Sequence, residues 1–210
     1  MKAPVSRRPE TVIGRILDAA QVEFMTAGYE AASTNQITTA FAGSKATLFR
    51  HFPTKEQLLE AVVRRIASRW QGAVAADDID AATPKRWLTI FAGRVLAWIL
   101  QDEPLFVGRL AIAEGHKFPR LSQVFQEAAG GPLQSALANR LASWTDQGQL
   151  ACDDAARDAV QFLDLVVTGA VSRALYRQRP MSERERTQHV ERSVDLFLNG
   201  RAARGRTGKR

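Results

Sequence analysis

Apolar residues recur along most of this chain at the three- to four-residue spacing of an amphipathic α-helix, and the alternating pattern of a β-strand is almost absent. Proline, glycine and capping residues interrupt the pattern, for example at Thr83-Pro84 and Gly130-Gly131-Pro132. The sequence therefore predicts an all-α protein of about nine to ten helices. The expected helices span residues 10–28, 34–41, 45–51, 55–75, 84–101, 104–115, 118–128, 132–148, 153–178 and 183–199.

Two short helical patterns separated by a tight turn lie between about residues 33 and 52. Ser33 can cap the first helix, since Gln36 follows at the spacing of a capping box, and Gly43 permits a positive φ in the turn. Ser44 can cap the second helix. The inward positions are Ile37, Phe41, Leu48 and Phe52, and the outward ones are Lys45, Thr47, Arg50 and His51. A basic second helix favours a helix-turn-helix that docks in the major groove of DNA.

Residues 10–70 resemble the DNA-binding domain of the TetR family of bacterial transcriptional regulators. The resemblance rests on the stretch ILDAAQVEFMTAGYEAAST (Ile16 to Thr34), on SKATLFRHFPTKEQLL (Ser44 to Leu59), and on the lysine that opens the next helix. Three departures from the common family pattern are the run Phe41-Ala42-Gly43 in place of Ala-Gly-Val, Phe49 in place of tyrosine, and Ala46 in place of glycine.

The resemblance implies that double-stranded DNA is a partner. Lys45 and Thr47 are expected at base edges or nearby phosphates, and His51 and Lys55 at phosphates. Lys55 also opens a helix, whose N-terminus favours anions. The full set of expected DNA contacts is Ser33, Thr34, Gln36, Ser44, Lys45, Thr47, Phe49, Arg50, His51 and Lys55. The alternative is a solvated basic face on a small helical bundle.

One DNA-binding domain of this size, called the head below, makes too few contacts to select a site in a genome. A homodimer solves this by reading two half-sites roughly 34–36 Å apart. In the family the last two helices pair with their copies, and the resemblance implies the same here. The expected interface is a face of apolar and small residues: Ala159, Phe162, Val166, Gly169, Ala170, Val190, Val194 and Phe197. The alternative is an internal core face. A polar line with Gln161, Asp164 and Thr168 lies beside it, and either rims the interface or lines a cavity.

The helix expected at 84–101 is apolar around most of its circumference, which predicts a central, buried position. It places Arg94 in a stripe of aromatic rings, where the guanidinium needs either a ligand oxygen or an internal acid such as Asp164, Glu103 or Glu114. The candidate residues for a small-molecule effector site are Trp87, Phe91, Arg94, Trp98, Phe106, Arg109, Phe125 and Phe162. The segment RLAIAEGHKFPRLSQVF (Arg109 to Phe125) resembles the C-terminal domain of a TetR subgroup often linked to efflux control.

The net charge of +7 and the isoelectric point near 10.2 suggest an acidic partner. Much of the excess lies in residues 201–210, and these and residues 1–9 are predicted to be a disordered basic tail and arm. A single cysteine, Cys152, excludes an intramolecular disulfide and fits a reducing cytosol. No uncharged apolar run approaches the ~20 residues of a membrane span. We therefore expect a cytoplasmic protein without a membrane segment.

No catalytic motif and no His/Cys cluster at metal-ligand spacing occurs, so we expect no enzyme, metal or cofactor. The sequence predicts a three-helix DNA-binding domain at residues 10–70 and a larger helical domain for effector binding and dimerisation at 71–200. The predicted function is that of a ligand-responsive repressor that releases a palindromic operator on binding a small apolar or amphipathic molecule. The alternatives are a DNA-binding protein without ligand control and an enzyme that uses the bundle cavity.

Overall fold

The computed structural model describes residues 11–73, 79–176 and 179–201. The predicted basic arm at residues 1–9, and the predicted tail beyond residue 201, lie outside the described residues. Within the described ranges the chain forms ten α-helices, and a π-helical segment (Gln126–Gly130) joins the seventh to the eighth. The helices are α1 (Val12–Ala31), α2 (Thr34–Ala40), α3 (Lys45–His51), α4 (Lys55–Ala73), α5 (Pro84–Ile99), α6 (Asp102–Glu114), α7 (Pro119–Phe125), α8 (Gly131–Asp146), α9 (Ala155–Leu175) and α10 (Glu183–Arg201). The all-α prediction is confirmed.

Side-chain caps set several helix starts, as the polar residues at the predicted breaks suggest. The hydroxyl of Thr11 accepts from Gly14 N–H at 3.0 Å to begin α1. The carboxylate of Asp154 accepts from Arg157 N–H at 3.0 Å to begin α9. The α1 helix runs past its predicted end and is interrupted at Gly28, whose φ of 77° is accessible to glycine without steric cost.

The chain divides into two compact units, which are described separately. The first unit combines the described residues up to Arg65 with Leu110–Val124, and the second combines Ile66–Arg109 with the described residues from Phe125 onwards. This grouping differs from a contiguous division near residue 70, because the end of α6 and most of α7 pack with the first unit. Packing between segments this far apart in sequence leaves no signal in local periodicity.

The first unit is built on a continuous apolar core from α1 to α4. The fully enclosed side chains include Ile16, Phe24, Ile37, Leu48, Leu58, Leu59 and Val62. The inward positions predicted at Ile37, Phe41 and Leu48 are confirmed, and Phe52 is half-buried. Arg65 ties α4 to α1, since its guanidinium donates to Asp18 at 2.7 Å and to Gln21 at 2.8 Å.

The second unit is centred on α5, which packs against α9 and α10. Trp87 stacks on Phe91 with ring centroids 4.8 Å apart, and the edge of Trp144 meets Trp87 at 5.5 Å. Burial of each such side chain contributes about 1.5–3 kcal/mol. The prediction that this helix is central and buried is confirmed.

The turn between α2 and α3 differs from the prediction. The positive φ falls on Ala42, at 53°, and not on Gly43. Glycine is needed at residue 43 for another reason, because a Cβ there would collide with the ring of Phe41. That ring is 4% exposed. The turn therefore contains an alanine in a left-handed conformation, which costs about 1–2 kcal/mol.

We predict that Ala42→Gly raises the free energy of unfolding by about 0.5–1 kcal/mol, because glycine relieves the strain but adds entropy to the unfolded chain. Gly43→Ala should lower it by about 1–3 kcal/mol, since the buried Phe41 ring must move. Urea denaturation with an unchanged m-value measures both effects. A neutral or destabilising Ala42→Gly, together with a tolerated Gly43→Ala, would contradict this description of the turn.

Candidate DNA-binding surface

The short helix α3 is held at its start and on its inner face. Thr47 N–H donates to Ser44 Oγ at 3.0 Å, which confirms the predicted cap, and the two hydroxyls lie 2.9 Å apart. Leu48 is 1% exposed and anchors the helix in the core of the first unit. The opposite face of the helix is therefore turned outwards.

The residues expected to contact DNA fall into two groups by exposure. The exposed group is Gln36, Ser44, Lys45, Phe49 and Arg50. The half-buried group is Ser33, Thr34, Thr47, His51 and Lys55. The ring of Phe49 is 41% exposed and lies on the same helix as two exposed cations. The outer face of α3 thus combines positive charge with one aromatic ring and contains no acid.

The start of α2 corrects the predicted capping box. Ser33 precedes the helix, but its side chain makes no capping hydrogen bond. Its N–H donates instead to the carboxylate of Glu23 in α1 at 2.8 Å. A side chain from another helix thus takes the place expected for Gln36, which is exposed.

The start of α4 is fastened to the end of α1. Lys55 Nζ donates to the carbonyl oxygen of Glu30 at 3.1 Å and lies 4.8 Å from the centre of the Tyr29 ring. The hydroxyl of Tyr29 donates to Glu56 at 2.7 Å. Burial, followed by this bond, raises the pKa of Tyr29 well above its usual value, and the same bond lowers the pKa of Glu56. Lys55 is therefore part of the scaffold, and its phosphate contact stays a prediction.

The acids named so far in the first unit are bonded within it. Asp18 pairs with Arg65, Glu23 accepts from Ser33 N–H, and Glu56 accepts from Tyr29. Each of these carboxylates therefore interacts with a hydrogen-bond donor of the first unit itself. The exposed cations of α3 dominate the outer face, as a surface that attracts phosphates requires.

In the second unit the predicted effector residues are mostly enclosed. Trp87, Phe91, Trp98, Phe106 and Phe162 are buried, Arg94 and Phe125 are half-buried, and Arg109 is exposed. The guanidinium of Arg140 lies against two aromatic rings, 5.7 Å from the centre of Trp87 and 5.1 Å from that of Trp144. Arg94, which the sequence analysis expected among aromatic rings, is half-buried, and its role stays a prediction. Arg140 and Trp144 are four residues apart on α8, and side chains at this spacing lie next to each other on a helix. The sequence alone could therefore have predicted this contact.

Arg140 has a further property. Its Nε atom is buried and has no hydrogen-bond partner. A buried donor without an acceptor costs about 1–3 kcal/mol. A hydrogen-bond acceptor on a bound molecule would therefore stabilise the Nε–H group of Arg140.

The predicted dimer face is largely internal. Seven of its residues are buried within the single chain, namely Ala159, Phe162, Val166, Ala170, Val190, Val194 and Phe197, whereas Gly169 is exposed. The rings of Phe162 and Phe197 meet edge to face at 5.0 Å and join α9 to α10. Side chains that fill the subunit core offer little surface to a second copy, so most of this face is corrected to core, and Phe197 also borders an open groove.

A different face of the same two helices is open. Leu165 is 42% exposed and Leu196 is 66% exposed. They line a groove of about 800 Å³ between α9 and α10. The other lining residues are Gln161, Asp164, Thr168, Phe197 and Gly200. The polar line noted in the sequence is thus the one that borders an exposed apolar strip.

Among the described residues, no helix is long and apolar enough to cross a membrane. Within the same ranges, no three His, Cys, Asp or Glu side chains are grouped so that they could hold a metal ion.

Comparison with known proteins bears on both units. AcnR, an HTH-type transcriptional repressor of Corynebacterium glutamicum, is 26% identical over 176 residues, which are 82% of this chain and 87% of that protein. A TetR-family regulator structure from Mesorhizobium loti has a TM-score of 0.81 at 24% identity, and the match covers 91% of this chain and 96% of that one. The flavonoid-responsive regulator FrrA has a TM-score of 0.76 at 24% identity, with 92% and 98% covered. At this identity the two structures show a shared fold.

The family matches cover most of the chain. Residues 16–62 match the bacterial regulatory proteins of the tetR family, and residues 86–200 match the C-terminal domain of the AefR-like transcriptional repressors. The second match alone spans more than half of the sequence. The chain therefore belongs to the TetR family of bacterial transcriptional regulators, with a C-terminal domain of the AefR-like repressor type.

Proposed function

We propose that this regulator is a homodimeric repressor that reads a palindromic operator with α3 and releases it when a small effector binds in the second unit. The observation that carries the proposal is the outer face of α3. Lys45, Phe49 and Arg50 are exposed there, while Leu48 and the Ser44 cap hold the helix from within. An exposed basic helix on a rigid support suits docking in the major groove.

Each side chain of this face suits a part of the DNA. Lys45 and Arg50 can donate to guanine edges or phosphates, and Thr47 can bond a base edge. The exposed ring of Phe49 suits contact with a thymine methyl group. His51 and Lys55 are proposed to face phosphates beside the start of α4, where the backbone N–H groups also attract anions.

The second copy is proposed to bind across the open groove of α9 and α10. The exposed Leu165 and Leu196 supply apolar contact, and the polar groups around them suit an interface rim. A two-fold dimer buries the same patch on both subunits, so both copies of Leu165 and Leu196 would contribute to the interface. Two heads held by one dimer then span two half-sites.

The effector is proposed to be a flat aromatic or amphipathic molecule with an acceptor oxygen. The stacked rings of Trp87 and Phe91, the edge of Trp144, and the unpaired Nε of Arg140 together suit such a molecule. One structural neighbour, FrrA, is described as flavonoid-responsive. Release would require differential binding of several kcal/mol, since ~5.5 kcal/mol moves a population from 1:99 to 99:1.

A second candidate is a DNA-binding regulator without ligand control. It is favoured by the enclosure of Trp87, Phe91 and Phe162, each at most 2% exposed, because a filled core leaves no room for a ligand unless the helices separate. A screen of phenolic compounds for release of bound operator distinguishes the two candidates. Release by none of them would favour this second function.

Selection of bound fragments from random double-stranded DNA should enrich one palindrome. On that operator, Lys45→Ala is expected to raise Kd about 5- to 100-fold, which corresponds to the 1–3 kcal/mol of a base contact. Lys85→Ala is the matched control, since Lys85 is an exposed lysine of the second unit that pairs with Asp195. Recovery of unrelated sequences, or equal losses in both variants, would contradict the assignment of α3 as the reading helix.

Leu196→Asp should convert the dimer to monomers, because a carboxylate would have to be buried in an apolar contact. Sedimentation velocity measures the change, and operator affinity should fall with it. Ile112→Asp is the control, since Ile112 is 74% exposed in the first unit and should leave the dimer intact. An intact Leu196→Asp dimer would place the interface elsewhere.

Arg140→Met should retain operator binding and the melting temperature within a few degrees, while the effector concentration needed for release rises at least about tenfold, as loss of a charge-assisted hydrogen bond of 1.5–3 kcal/mol implies. The methionine keeps an apolar stem against the two indoles. Arg94→Met, at a half-buried site on α5, is the comparison variant. A large loss of melting temperature with an unaltered response would assign Arg140 a purely structural role.

A further inference from the structure

Three parts of the first unit meet at the side chain of Tyr29: the end of α1, the start of α4 and Phe118. The residue follows the break at Gly28 and is 6% exposed. Lys55 and Glu56, the first two residues of α4, hold its ring face and its hydroxyl. The edge of the Phe118 ring meets it at a centroid distance of 4.9 Å and an angle of 74°.

Phe118 comes from a distant part of the chain. It lies between α6 and α7, inside the range 86–200 that matches the C-terminal family domain, yet it packs with the DNA-binding unit. Two neighbours reinforce the contact. Lys117 Nζ lies 3.1 Å from Glu30, and Arg120 lies 4.0 Å from Glu60 of α4. Residues that belong to the C-terminal family match thus pack within the first unit, which contains α3.

The charged contacts are exposed and weak, so the rings carry most of the effect. Side chains of Lys117 and Glu30 are 47% and 66% exposed, and such pairs contribute little. The bond to Glu30, and then that to Glu114, raises the pKa of the Lys117 ammonium. An edge-to-face pair between the buried Tyr29 ring and the half-buried Phe118 ring is worth more than an exposed ion pair.

The consequence for DNA reading follows from chain connectivity. Only Phe52, Pro53 and Thr54 separate α3 from α4. Because Tyr29 fixes the first residues of α4, it also fixes the end of α3. Phe118 packs on the ring that makes this connection, without lying on the outer face of α3 itself.

We propose that Phe118, supported by Lys117, is a positioning residue for the DNA-reading helix. Its ring holds Tyr29, and through it the start of α4, in the geometry that lets α3 select an operator. This inference rests on the proposed function of α3. It concerns selectivity, because a loosened head keeps its positive charge and its attraction to any DNA.

The test compares Phe118→Leu, Phe118→Tyr and the control Ile112→Ala, whose exposed side chain lies on the same segment. Operator and non-operator DNA are titrated in parallel, at a temperature where each variant is fully folded by circular dichroism. Phe118→Leu should raise the operator Kd about 3- to 10-fold, as loss of an aromatic pair implies, and leave non-operator affinity unchanged. Phe118→Tyr, which keeps the ring, should restore the wild-type ratio, and Ile112→Ala should match the wild type.

The results separate this inference from the function on which it rests. A wild-type protein that selects no operator overturns both. A selective wild type with an unaltered ratio in Phe118→Leu, or with equal losses on both DNAs, overturns the positioning role alone. If Phe118→Leu does not fold, Phe118→Met is used, and the same change of about 3- to 10-fold is expected, because methionine removes the ring and keeps a flexible apolar side chain. No change in that variant also overturns the proposal.

Discussion

A helix of seven residues is not stable by itself in water, and the DNA reading proposed for α3 depends on holding this helix in place. α3 has its single buried anchor in Leu48 and its cap in Ser44. Everything else that fixes it comes from its neighbours. Tertiary packing therefore supplies the stability that the helix lacks, and its outer side chains are left for recognition.

The same constraint explains how charge is distributed in the first unit. Carboxylates there bond to the scaffold, as Glu23 does at the start of α2 and Glu56 does at Tyr29. The cations on the outer face of α3 have no acids on their own helix. Lys55 bridges the two roles, since its ammonium binds the end of α1 while its backbone opens α4. Because these acids bond to other groups of the first unit, the outer face of α3 keeps its positive charge.

Local pattern alone determined the class and most of the elements of this protein. The helical period predicted an all-α chain, and polar residues at the breaks located starts such as Ser44. The apolar circumference of α5 predicted its central position. These features follow from interactions within a few residues, which a sequence displays directly. The family resemblance of residues 10–70 depends on the same local pattern and is confirmed by the match of residues 16–62.

Only the tertiary structure decided which groups meet across the chain. The helical period identifies an apolar face but not which part of the protein covers it. The face with Phe162 and Val194 was expected at a dimer interface, whereas these side chains are buried within the single chain. The period cannot name a cap from another helix, such as Glu23, or the guanidinium that reaches two indoles, which is that of Arg140. The left-handed turn residue is Ala42, and the Phe41 ring occupies the space that a side chain at residue 43 would need. Each outcome depends on contacts between segments whose approach is fixed only when the whole unit packs.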